Sequence, residues 1–237
     1  MHSRLRETLD WLSRASAEQL GDKAELADHI GRAGLFDDGR RAPQDPSQSL
    51  YGADARYALP TRDNSMGLWQ TPLQLAGFLI AVRDKGIRTY LDVGTFNGWT
   101  IAIVAAYLKR FGLQRVDSVD VFALCTQATR DLWREYDLPI TYVLCPAHEI
   151  LERVGAAYDF AFIDANHEYE SVKRDFFAYA PLARMVGFHD IHDHHCPGVV
   201  RWWKELRAMH PECVFNEFTE HPNGWDLMGI GVVERAG

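Results

Sequence analysis

A chain of 237 residues, 47% hydrophobic and 24% charged, can build one sizeable α/β domain with an appendage but is short for two independent domains. Its formal charge of −8 opposes the basic footprint of a nucleic-acid binder, and no run approaches the ~20 apolar residues of a membrane span. The four cysteines (Cys125, Cys145, Cys196 and Cys213) lack CxxC or zinc-finger spacing, so reduced, mostly buried thiols in a cytoplasmic protein are expected.

Residues 1–31 read as one or two short helices. Leu5, Leu9 and Leu12 share one face, and Leu20, Leu26 and Ile30 suggest another; such faces cap a core or pack in a homo-oligomer, a dimer or higher. From Phe36 to Ser65 the pattern dissolves into Asp, Gly, Pro, Ser and Arg, which reads as a lid or substrate-binding segment. Residues 1–70 thus form a helical extension with a lid or linker, and 71–237 the main domain.

Thr71 to Lys85 is an amphipathic helix leading into a strand, Thr89 to Val93. A glycine-bearing turn follows, then an apolar helix from Trp99 to Leu108. Further strands are expected at Val116–Asp120, Ile140–Leu144, Tyr158–Asp164, Ala183–Asp190, Cys213–Phe218 and Met228–Glu234. Helices are expected at Thr126–Tyr136, Ala147–Val154, Glu168–Tyr179 and Pro197–Met209, the last opening with proline where a missing N–H costs nothing. This alternation predicts a Rossmann-like, doubly wound, mostly parallel seven-stranded sheet with helices on both faces. Ligands of such sheets bind beyond the carboxyl ends of the strands, where Asp92, Asp120, Asp164 and Asp190 all fall.

The turn spacing is D-x-G-x-x-x-G, from Asp92 through Gly94 to Gly98. A dinucleotide turn needs a second glycine where Phe96 stands, and a phosphate loop needs a Gly-Lys-Ser/Thr that does not follow. An acid before the first glycine repels phosphate but suits a cationic amino-acid end, and Asp120 is placed for ribose hydroxyls. S-adenosylmethionine carries an ammonium, a sulfonium and a ribose, and no phosphate. It is the expected cofactor.

The stretch YLDVGTFNGWT resembles motif I of the class I S-adenosylmethionine-dependent methyltransferases. YDFAFIDANHEYESVKRDF and GFHDIHDHHCPGVVRWWKEL resemble the branch that groups family-24 domains with macrocin-type sugar O-methyltransferases and cephalosporin hydroxylase-like proteins. The resemblance spans Gln70 to the end. It implies that Asp92, Gly94 and Gly98, with Thr95 and Asn97 in the same turn, surround the methionine part. It also implies that Asp120 holds the ribose, that Ala147 and His148 lie near the adenine, and that Asp164 borders the cofactor.

Six of the ten histidines lie between His148 and His195. If the strands ending at Asp164 and Asp190 are neighbours, two carboxylates converge on one rim and need a divalent cation, a shared proton or a basic partner. The resemblance implies a metal held by Asp164 and Asp190. Oxygen ligands favour magnesium, which is expected first; His189 stands where relatives often have a further acid, and its imidazole shifts preference towards manganese or iron. His192 matches the histidine base of the sugar O-methyltransferases, with His189 the other candidate. The expected function is O-methylation of a small-molecule hydroxyl (sugar, phenol or polyketide). The alternatives are a metal-dependent hydroxylase-like tailoring enzyme and a non-catalytic cofactor binder.

Overall fold

Adjacent residues of the central strands point to opposite cores, as the two-residue period of a strand requires. Tyr90, Phe160, Phe162 and Ile230 join one hydrophobic cluster, while Leu91, Ala161, Ile163 and Val233 join another. A sheet buried on both faces has to be covered by helices on both. The computed structural model describes residues 2–34, 67–145, 149, 157–221, 224 and 226–235. Its helices are α1 (Ser3–Arg14), α2 (Ala17–Gly21), α3 (Lys23–Arg32), α4 (Pro72–Val82), α5 (Trp99–Lys109), α6 (Gln127–Glu135), α7 (Tyr169–Tyr179) and α8 (Pro197–Met209). Its strands are β1 (Thr89–Val93), β2 (Arg115–Asp120), β3 (Ile140–Leu144), β4 (Tyr158–Ile163), β5 (Ala183–His189), β6 (Val214–Phe218) and β7 (Ile230–Glu234). The expected lid over Phe36–Ser65, Ala147 and His148 lie outside the described residues, as does the expected helix over Ala147–Val154 apart from Glu149.

The sheet order is β3-β2-β1-β4-β5-β7-β6, with β7 antiparallel to both neighbours and the other pairings parallel. This is the expected doubly wound, mostly parallel, seven-stranded architecture. The chain winds outward from β1 through β2 to β3, then returns to place β4 on the other flank of β1. That reversal opens a crevice between the loops after β1 and β4, where ligands of such sheets bind.

The amino-terminal segment forms three helices rather than one or two. Ser16 is the reason: its hydroxyl accepts the Gln19 amide while the Gln19 side chain accepts the Ser16 amide, a capping box that starts a new helix. Asp22 then caps α3 through the amides of Ala24 and Glu25.

These helices answer a need of α5, whose residues Trp99 to Leu108 are buried nearly all round. A helix apolar on every side needs cover on the face turned away from the sheet. Leu5, Leu9 and Leu12 of α1 supply it, within the same cluster as Ile101, Ala105 and Leu108. Arg110 donates to the carbonyls of Leu12 and Ala15, satisfying acceptors at the end of α1. The Tyr107 hydroxyl donates to the Leu20 carbonyl.

Because Leu9 is fully buried in that shared core, Leu9→Ala is expected to cost about 2–5 kcal/mol. Urea unfolding followed by circular dichroism checks this. A loss below about 1 kcal/mol, the scale of an ordinary surface change, would mean that α1 is not part of the main core.

Candidate active site

The glycine turn starts where β1 ends. Gly94 has φ +111°, and a Cβ there would lie 1.9 Å from the Asp164 carbonyl oxygen. Only glycine lets the loops after β1 and β4 touch at this point. The Asp164 amide donates to the Val93 carbonyl across the same contact, at 2.8 Å. Gly98, at φ +78°, precedes α5, and a Cβ on it would run into Trp133 and Cys125.

The side chains of the turn are held from several directions. Asp92 is buried and accepts from the Ser118 hydroxyl of β2 at 2.6 Å, while Thr95 and Ser118 hydroxyls lie 2.7 Å apart. Burial pushes the Asp92 carboxyl up to about 8; the Ser118 bond opposes this, and the charges of Asp164 and Asp120 add to it. Asn97 accepts from the Trp99 amide and donates to the Gly67 carbonyl, which ties the segment before α4 to the turn. Asp120 ends β2 and accepts two backbone amides, Phe96 at 2.7 Å and Phe122 at 2.8 Å. A carboxylate has about four lone-pair sites, so this anchoring leaves room for the ribose hydroxyls expected there. Val121 and Phe122 follow it and are exposed.

On the far side of the crevice, β4 and β5 are hydrogen-bonded neighbours, so Asp164 and Asp190 do converge. His189 lies between them, its Nδ1 3.4 Å from Asp164 Oδ1 and 3.2 Å from Asp190 Oδ1. His167 joins from the loop after β4, with Nε2 3.1 Å from Asp190 Oδ2 and 3.6 Å from Asp164 Oδ1. Asp190 adopts φ +61°, a left-handed conformation that aspartate tolerates better than most residues.

Two acids and two histidines balance one another. Burial opposes the charge of His189, but Asp190 and Asp164 outweigh it and raise its pKa well above the imidazole range. Contact with Asp164, then Asp190, raises His167 in the same way. Both acids are lowered in return: burial opposes the shift, and the positive charge of His189 does most to drive it. Of the three compensations the sequence leaves open, the structure displays the basic partner.

The same atoms fit a divalent ion. Ligands about 2.1 Å from an octahedral cation lie about 3.0 Å apart when adjacent. The spacings of 3.2 and 3.4 Å from His189 Nδ1 to the two carboxylates need little adjustment to reach that. Asp164, His189 and Asp190 can each turn one donor atom to a common point, with the histidine proton released as the ion enters.

His192 stands outside this group. It is half-exposed, and its Nε2 lies 2.7 Å from Asp226 Oδ1 in the segment before β7. Gln70, by contrast, reaches the group without having been expected: its amide donates to Asp164 Oδ2 at 3.3 Å. Cys196, expected only as a buried thiol, lies 3.5 Å from Asp190 Oδ2. Neither has a sequence signature: Gln70 comes from a segment distant in the chain, and Cys196, six residues after Asp190, is brought back to it by the turn of the loop. Asp193 also has a role, accepting the His195 and Met228 amides and so fastening the loop after β5 to the segment before β7.

The sheet order and the glycine turn at its switch point define a class I methyltransferase fold. Residues 91–194 match the family model described as a methyltransferase domain. Over those residues the chain resembles a methyltransferase domain, and its fold is that of the class I methyltransferases. Among solved structures, it is 19% identical to the O-methyltransferase TomG of Streptomyces achromogenes, involved in tomaymycin synthesis and solved with S-adenosylmethionine. That match has a TM-score of 0.56 and covers 72% of this chain and 82% of that one. It is 20% identical to an O-methyltransferase of Bacillus cereus in complex with S-adenosylhomocysteine, at TM-score 0.56, over 84% of this chain and 94% of that one. A third likeness is to the S-adenosylhomocysteine-bound methyltransferase PaMTH1 of Podospora anserina, 14% identical at TM-score 0.55, covering 76% and 83%. At these identities the structures speak for the fold. No curated protein matches the sequence. Among the described residues, no helix is long and apolar enough to cross a membrane.

The buried Asp92 makes a pH prediction. Folded, it keeps its proton to about pH 8, whereas an unfolded aspartate loses it near pH ~3.9. Between those values the folded state binds the extra proton, so this residue's contribution to stability falls as pH rises. Asp92→Asn is expected to remove that component and flatten the decline in cofactor-free protein. Denaturation midpoints measured from pH 5 to pH 8 check this; an unchanged slope would count against a protonated Asp92.

Proposed function

We propose that this protein transfers the methyl group of S-adenosylmethionine to a hydroxyl oxygen of a small molecule, with a divalent cation at Asp164, His189 and Asp190. One observation carries the reading. The glycine turn expected to hold the donor touches the backbone of Asp164, the first member of the acid and histidine group. Donor and acceptor sites on those two loops would therefore be in direct contact.

A divalent cation in that group supplies Lewis acidity, lowering the pKa of an acceptor hydroxyl that it holds. The chain's own residues supply the rest. Gly94 and Gly98 let the turn approach the donor closely, and Asp92 presents a buried carboxyl to its cationic end. Asp120 keeps lone pairs for the ribose, and the exposed Phe122 beside it offers an apolar surface to the base. His192 accepts the acceptor's proton, with Asp226 on one ring nitrogen leaving the other for the hydroxyl. In-line attack on the sulfonium methyl needs little covalent help, so positioning supplies much of the acceleration.

The test is formation of S-adenosylhomocysteine with a panel of sugars, catechols and polyketide hydroxyl compounds, in chelator-treated protein with magnesium or manganese restored. Turnover is expected with one acceptor class. Asp190→Ala is expected to lower it by at least about 100-fold, the upper end of what losing a supporting residue costs a metal site. His192→Ala is expected to cost about 10²–10⁴-fold, the range for a general base. Full activity in both variants on a turned-over substrate would refute the assignment.

A further inference from the structure

Asp190 uses its two oxygens differently. Oδ1 faces His189 and, beyond it, Asp164, whereas Oδ2 faces His167 Nε2 at 3.1 Å and Cys196 Sγ at 3.5 Å. His167, Asp190 and Cys196 can turn one nitrogen, one oxygen and one sulfur to a common point, with all three atoms within 4.8 Å of one another. His167 Nε2 is buried and pairs with Asp190 Oδ2 by charge without an aligned hydrogen bond, so an ion could take the place of its proton there.

The donor set, rather than the spacings, discriminates between kinds of ion. Around a tetrahedral zinc, with nitrogen and oxygen at about 2.0–2.1 Å and sulfur at about 2.3 Å, the nitrogen–oxygen edge is about 3.3 Å and the sulfur–oxygen edge about 3.6 Å. The observed 3.1 and 3.5 Å match both edges to within a few tenths of an ångström. A thiolate with an imidazole favours zinc, cobalt or iron over magnesium, which prefers oxygen donors.

The arrangement is built into the fold. Cys196 directly precedes α8, whose first turn sits hard against the loop carrying His167. A Cβ on Gly198 would lie 2.3 Å from the His167 carbonyl oxygen and 2.5 Å from the Tyr169 amide nitrogen. The glycine is what lets Cys196 and His167 approach the same carboxylate.

We infer that His167, Asp190 and Cys196 form a binding site for a thiophilic divalent metal of the zinc class, on the opposite side of Asp190 from His189. On binding, the Cys196 thiol and the His167 imidazolium would each release a proton to solvent, and His167 would ligate as neutral imidazole. The inference rests on the proposed function only for its place beside the reacting atoms, through the shared Asp190.

The test uses the full chain, stripped with chelator and titrated with cobalt(II) as spectroscopic probe. His210, Glu212 and Cys213 form another group of donors nearer the surface, so Cys213→Ser serves as the background. A near-ultraviolet sulfur-to-cobalt charge-transfer band is expected in Cys213→Ser at one equivalent. It should be lost when Cys196→Ser is added and reduced by His167→Ala. Zinc absorption fine structure on Cys213→Ser alone covers the case in which the further variants misfold. One sulfur at about 2.3 Å supports the site, and a shell of nitrogen and oxygen only overturns it. A cobalt band absent from Cys213→Ser, or persisting without Cys196, also overturns it. Since the readout is ligation, a failed site and a failed methyl-transfer reading give different results.

Discussion

The contact between Gly94 and the Asp164 carbonyl is the constraint on which the rest of the site depends. It is possible only because β1 and β4 are parallel neighbours at the point where the winding of the sheet reverses. Everything carried by the first loop, from Asp92 to Asn97, is placed against everything carried by the second, from Asp164 to His167. A side chain at Gly94 would force the loops apart by roughly an atomic radius, and the two halves of the candidate site would cease to be one. The buried hydroxyls of Thr95 and Ser118 and the Phe96 amide held by Asp120 brace the first loop from behind.

The second loop is braced by charge. A pair of buried carboxylates is costly alone and tolerable beside two imidazoles, and the folded chain carries that balance with its own residues. An entering cation would substitute for protons already present.

Much of this was legible in sequence. The strands Thr89–Val93 and Ile140–Leu144 and the helix Pro197–Met209 fall as the apolar runs and the leading proline indicate. The acids at strand ends follow from parallel winding, which puts every such end on one rim. Other boundaries shift either way: β2 begins one residue early, at Arg115, whereas the expected helix from Thr71 to Lys85 is regular only over Pro72–Val82, as Arg83, Asp84 and Lys85 lie beyond its apolar surface. What sequence could not show is side-chain direction and long-range approach. His192 and His189 lie three residues apart, yet one meets Asp226 near the surface and the other is buried between carboxylates. Gln70 and Cys196 reach the same acids from segments with no shared pattern, and Gly198 looks like an ordinary helix residue until its neighbour across the gap is known.

The antiparallel β7 has a further consequence. It brings residues 226–229 back beside the loop after β5, where Asp193 holds the Met228 amide and buried Gln74 bridges the Leu227 carbonyl and the Gly229 amide. The donor side of the crevice hangs on β1 and β2, whereas the opposite wall hangs on the last hairpin and α4. Beyond the ties from Asn97 to Gly67 and from Gln70 to Asp164, the two supports are carried by different elements, so a change in the hairpin loop reaches the cofactor turn indirectly. One scaffold could thereby acquire new acceptors while its donor stayed the same.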